Sequence, residues 1–100
     1  MGQYQLRRYI IQPGHMDQFL SIWQKNIVPA RERVGFQVID AYVDREKNEF
    51  MWILHWDTQL DVQEAEARFR LSPERQAVNH EVEASIVSME NTLLERVQIR

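Results

Sequence analysis

Five side chains carry the groups that a small-molecule site would use: His55, Arg7, Tyr9, Asp40 and Tyr42. His55 lies in FMWILHWD, residues 50–57, among aromatics and aliphatics. An imidazole that titrates near neutral pH can move a proton or orient a polar substrate, so His55 is the catalytic candidate. Arg7 presents a planar fork of donors suited to a carboxylate or phenolate. Tyr9 and Tyr42 can donate to a substrate oxygen, and Asp40 completes the ligand-binding set. The same residues also support a purely structural reading, in which Asp40 pairs with Arg7, His55 bonds to either, and the network fixes the register of two sheets. His15 and His80 have no partner at metal-ligand spacing, with no His-x-x-x-His and no cysteine, so neither a metal nor another cofactor is expected.

The elements that must position these groups follow from periodicity. QYQLRRYII, residues 3–11, alternates as a strand does, and Pro13-Gly14 stops it. Met16, Phe19, Leu20, Trp23, Ile27, Ala30 and Val34 recur at steps of three and four, a helical stripe. Pro29 should kink that helix, and Gly35 suits a left-handed cap at its end. FQVIDAYV, the charged turn DREKNE and FMWILHWD read as a hairpin. Asp57, Thr58 or Asp61 can cap the next helix, which carries Val62, Ala65 and Phe69. Ser72-Pro73 interrupts it and restarts a helical turn that continues through Ala77, Val78 and Val82. Residues from about 86 to 97 read as a last strand, although SMENTLLERV also fits a helix. The order is β-α-β-β-α-β: an α+β, ferredoxin-like plan with a four-stranded antiparallel sheet and two helices on one face.

Strand parity then assigns faces. A two- or four-residue connection in the hairpin pairs Val43 with Phe50, Ala41 with Trp52 and Ile39 with Leu54, and this all-apolar face is assigned to the helices. Tyr4, Leu6 and Ile10 are expected on the same side, with the three tryptophans as core. The opposite face should hold Phe36, Val38, Asp40 and Tyr42 beside Met51, Ile53 and His55, with Arg7, Tyr9 and Ile11 from the first strand. Helices cover one face of such a sheet, so an apolar second face needs another occupant, and a second copy across a two-fold axis would bury it.

The whole composition limits the alternatives. A chain of 100 residues, 44% apolar, fits a single domain over residues 1–100. The apolar runs fall far short of a membrane span, and the start lacks the basic-then-apolar pattern of a signal peptide, so a cytoplasmic location without membrane contact is expected. A formal charge of -3, with acids and bases interspersed, offers no basic stripe for phosphates. EFMWILHW also lacks the basic residue and glycine of an RNA-recognition strand, so no nucleic-acid partner is expected.

The segments YQLRRYIIQPGHMDQFLSIW, GFQVIDAYVDREKNEFMWILHW and ARFRLSPERQAV together resemble the NIPSNAP-like branch of the dimeric α+β-barrel superfamily over nearly the whole length. The family's opening acid-Leu-Arg-x-Tyr strand corresponds to Gln5-Leu6-Arg7-Arg8-Tyr9, with Gln5 in place of the acid. Its helix break corresponds to Ser72-Pro73-Glu74-Arg75. The resemblance implies a homodimer paired through the sheet face, with a small-molecule cavity between sheet and helices or inside the dimer barrel, and no agreed reaction. The hydrophobic ligand would carry a carboxylate or phenolic group. Two alternatives stand beside it: a cofactor-independent monooxygenase, as among relatives on the fold, or a structural or regulatory dimer without a ligand. Haem-degrading relatives use an Asn, Trp and His, but no position-by-position match assigns Trp52, Trp56 and His80 to that set.

Overall fold

In a computed structural model that describes residues 2–100, four strands form one antiparallel sheet in the order β2-β3-β1-β4. They are β1 (Gly2–Ile11), β2 (Gln37–Asp44), β3 (Glu49–Asp57) and β4 (Ile86–Leu94). The β-α-β-β-α-β order is therefore present, and the last segment is a strand. It ends at Leu94, short of the expected 97.

The first crossover comprises α1 (Met16–Ile22), a turn of π-helix (Trp23–Ile27) and α2 (Val28–Arg33). Pro29 has no N–H to bond the carbonyl four residues back, and the turn before it widens so that Val28 N–H reaches Trp23 O. The expected kink thus takes the form of a π-turn. Gly35 has φ +111°, open to glycine and strained for any other residue. The second crossover comprises α3 (Val62–Leu71), α4 (Pro73–Gln76) and α5 (Asn79–Ser85). Asp61 caps α3 by accepting from Glu64 N–H, and Ser72 caps α4 by accepting from Arg75 N–H, with Pro73 at the first helical position.

The hairpin register matches expectation over Asp40↔Ile53, Ala41↔Trp52, Tyr42↔Met51 and Val43↔Phe50, then shifts between Val38 and Asp40. One extra residue, Ile39, reverses the parity of everything before it. Phe36 consequently lies in the core and Val38 packs against it, while Ile39 is exposed. β1 is also inverted relative to expectation. Its register with β3 pairs Arg7 with Trp52 and Tyr9 with Phe50. Arg7, Tyr9 and Ile11 therefore lie beneath the helices, and Tyr4, Leu6 and Ile10 take the open face. Both phases of QYQLRRYII are apolar enough to be buried, so its pairing partner decides which one is. The core gathers Phe19, Trp23, Phe36, Phe50, Trp52, Leu54, Trp56 and Phe69, with edge-on aromatic contacts such as Trp23–Trp52 at 5.5 Å between ring centroids.

Candidate functional site

The inverted parity divides the five expected site residues between the two sides of the sheet. His55, Asp40 and Tyr42 lie on the open face, whereas Arg7 and Tyr9 are buried under the helices. His55 Nδ1 bonds to Gln37 Oε1 at 2.5 Å, and the ring packs on Tyr4 at 4.5 Å between centroids. Its partner is therefore Gln37, and the Asp40–Arg7–His55 network is excluded because the sheet separates its members. Gly2 allows the imidazole its place, since a Cβ there would lie 2.1 Å from Nε2.

The helix side holds a different constellation. A cavity of about 60 Å³ lies between β1, β3 and the helices, lined by residues that include Arg7, Tyr9, Trp23, Arg31, Trp52, Phe69, Arg75 and Met89. Arg7 reaches it from β1 because position 7 shares its face with Trp52. Arg31 reaches it because position 31 falls four residues after Ile27 on the apolar stripe, and Trp23 and Ile27 both belong to the π-turn. Arg75 comes from α4, directed by the Ser72-Pro73 restart.

The lining is rich in donors. Arg7 Nε donates to Tyr9 Oη at 2.8 Å, Nη1 to Gln5 Oε1 at 2.9 Å, and Nη2 to the weak acceptor Met89 Sδ at 3.5 Å. Arg7 is 7% exposed, yet it forms no ion pair among the described residues. Because Tyr9 Oη accepts from Arg7, its own proton is left to donate. Arg31 Nη1 pairs with Glu66 Oε1 at 2.5 Å, and its guanidinium stacks 3.8 Å from the Phe69 centroid. Arg75 Nη1 donates to Asn79 Oδ1 at 2.5 Å. Three further N–H groups are buried without an acceptor: Trp23 Nε1, Trp52 Nε1 and Arg31 Nε. Native interiors leave few such groups unpaired, and all three residues line this one cavity.

Burial pushes the Arg31 pKa down, the nearby Arg7 charge pushes it further, and Glu66 opposes both. Burial also lowers the Arg75 pKa, with Glu83 opposing. Trp52 lies between two cations, with Arg7 at 5.5 Å and Arg31 at 5.9 Å from its ring. Three guanidiniums, two indoles and a phenol can hold an anion. Among the described residues, the lining has no histidine or carboxylate to act as a base. Arg31 and Arg75 were not anticipated from the sequence, although the spacing of Arg31 from Ile27 and Val34 was the available signal. Trp23 and Trp52 are core residues as expected, and their N–H groups are unpaired there.

The open face carries Tyr4, Leu6, Ile10, Ile39, Tyr42, Met51 and Ile53. Tyr4, Ile39, Ile53 and Leu94 border a shallow hollow of about 310 Å³. Among the described residues, no helix is long and apolar enough to cross a membrane.

The model of the family described as NIPSNAP matches residues 4–99. Comparison with curated proteins found no match. Among solved structures, an uncharacterized NIPSNAP domain protein from Burkholderia xenovorans superposes with a TM-score of 0.81 at 17% identity, covering 100% of this chain and 98% of that one. A NIPSNAP family protein from Agrobacterium tumefaciens gives 0.85 at 16% identity, with 99% and 91% covered. A protein provisionally described as an antibiotic biosynthesis monooxygenase, from Bacteroides thetaiotaomicron, gives 0.68 at 16% identity, with 99% and 90% covered. At these identities the likeness establishes the fold.

Proposed function

The chain belongs to the NIPSNAP family, and on that premise we propose that it is a homodimer whose subunits each bind a small oxygen-bearing molecule between sheet and helices. The observation that carries this reading is the set of buried, acceptorless N–H groups on Trp23, Trp52 and Arg31 around one cavity. A carboxylate or phenol oxygen would satisfy several of them together, and Arg7 and Tyr9 would orient it. With donors but no base in the lining, binding is favoured over proton-transfer chemistry. His55, Asp40 and Tyr42 belong to the other half of the proposal, the subunit interface.

That half rests on the open face. Leu6, Ile10, Ile39, Tyr42, Met51 and Ile53 form an apolar surface that monomers rarely leave to water. A second copy across a two-fold axis would cover it, burying at least ~1,200 Å² in total. In this reading residues 1–100 act as one domain, in the cytoplasm. Native mass spectrometry tests both halves. The expected result is a species at twice the 12.0 kDa chain mass that releases a small molecule on denaturation. A Val82→Phe variant, which fills the cavity, should keep the dimer and lose the molecule. A monomeric mass at micromolar concentration would refute the dimer, and equal retention of the molecule by Val82→Phe would refute the site.

A further inference from the structure

Resting on that binding reading, we infer that the cavity selects a compact, singly charged carboxylate, and that Gln5 sets this charge requirement by acting through Arg7. The argument is a count of charges. Arg31 has Glu66 at 2.5 Å, and Arg75 is only partly buried, so water screens its charge, with Asn79 as its hydrogen-bond partner. Arg7 has a phenol, an amide oxygen and a thioether, and no carboxylate. Of the two fully buried guanidiniums one is paired and one is not, so the site is one negative charge short, and buried charges are generally paired.

Gln5 explains the shortfall. Its Oε1 accepts from Arg7 Nη1 at 2.9 Å, the place where a glutamate oxygen of the same length would form an ion pair. The amide holds the guanidinium in position and leaves its charge free for a ligand. Both indole N–H groups, Arg31 Nε and the Tyr9 proton are donors, and an ionised carboxylate is acceptor-only, with about four lone-pair sites on two oxygens. Size narrows the class further. By the measure that gives this cavity about 60 Å³, one water needs roughly 10–15 Å³, so the space takes on the order of four such atoms. That suits the head of a carboxylate and excludes a phenolate ring. A dianion would exceed the missing charge.

The test uses the indole N–H resonances of Trp23 and Trp52, with Trp56, which lies outside the cavity lining, as internal control. The full-length protein, in a buffer whose only anion is a bulky sulfonate, is titrated with acetate, with its neutral isostere acetamide, and with sulfate. Acetate should move the Trp23 and Trp52 signals and leave Trp56 in place. Acetamide should bind about tenfold or more weakly, because charge-assisted hydrogen bonds are roughly twice as strong as neutral ones. Gln5→Glu should lose the response to acetate while keeping that to acetamide and the Trp56 signal. Arg7→Met should likewise lose the response to acetate while keeping the Trp56 signal, and serves if Gln5→Glu fails to fold. Equal binding of acetate and acetamide, tighter binding of sulfate, or an undiminished acetate response in Gln5→Glu would overturn the charge inference and leave the ligand cavity standing. Silence of both indoles toward all three probes would overturn the binding reading itself.

Discussion

Replacing Arg7 by Met separates a ligand-binding arginine from a structural one, because the two roles predict different changes in stability. In the unliganded protein, Arg7 gains two hydrogen bonds from a charged donor, to Tyr9 and Gln5, and a cation–π contact with Trp52. At ~1.5–3 kcal/mol for each bond and ~1–2 kcal/mol for the ring contact, these contribute about 4–8 kcal/mol. Against them stand the desolvation of an unpaired guanidinium, several kcal/mol, and repulsion from Arg31. The terms cancel to within a few kcal/mol. A methionine of similar reach removes both sides of that balance and adds ~1.5–3 kcal/mol of apolar burial. Gln5 is half-buried and can turn to water, so its lost bond costs little, whereas the buried Tyr9 hydroxyl loses its partner at a cost of ~1–3 kcal/mol. Arg7→Met should therefore leave the ligand-free stability within about 2 kcal/mol of wild type, where for a chain of this size each kcal/mol moves Tm by ~4–8 °C.

The assay is urea unfolding followed by tryptophan fluorescence at fixed protein concentration, with and without acetate. Wild type should gain stability with acetate as the logarithm of its saturation, and the variant should not respond. A loss of about 3 kcal/mol or more would refute the reasoning, since that is the usual cost of breaking a buried ionic network that holds a fold together.

Ile53→Asp places a charge in the middle of the open face and should shift the species seen by light scattering from dimer to the 12.0 kDa monomer, with unchanged circular dichroism. His55→Phe should leave acetate binding unaltered, because the imidazole lies across the sheet from the cavity; a changed affinity in the indole titration would contradict that separation. Glu74 contributes to acid stability: its own backbone N–H and the Arg33 guanidinium hold its carboxyl below the ordinary value of 4.5. A depressed carboxyl pKa contributes stability that is present above 4.5 and lost as pH falls through the folded value, so Glu74→Gln should flatten the acid side of the stability profile below pH 4.5, as read by unfolding at successive pH values.

The fold was legible because its signals agree with one another. The Ala41–Trp52 pairing, the Ser72-Pro73 restart and the helical stripe from Met16 to Val34 each followed from residue type and spacing, and each is present. The site was less legible for two physical reasons. Strand parity is readable only where one phase is clearly more apolar, and in β1 Tyr4, Leu6 and Ile10 compete evenly with Tyr9 and Ile11. A bulge adds one residue with no compositional mark, so nothing in VID distinguishes Ile39 from its neighbours before pairing decides. The first of these displaced Arg7, because the general rule that charges stay outside argues against the position it holds.

Several departures from local rules converge on one place. Arg7 is a buried charge without a counterion, and Trp23, Trp52 and Arg31 carry buried donors without acceptors. The π-turn ahead of Pro29 puts Trp23 and Ile27 into the same lining. Each departure alone has an ordinary explanation: a snorkelling arginine, an imperfectly paired indole, a proline in a helix. Residues far apart in sequence, 7, 23, 31 and 52, have no local reason to break rules around the same 60 Å³. Violations concentrated in this way are expected where function constrains the chain, since selection for stability alone would repair them one at a time. The open face breaks a different rule, exposing Ile39 and Tyr42 rather than burying charge, and so calls for a different occupant. A ligand on one side of β1 and β3 and a second subunit on the other would make the sheet the shared wall of both, with Arg7 and Arg8 facing opposite ways from adjacent positions.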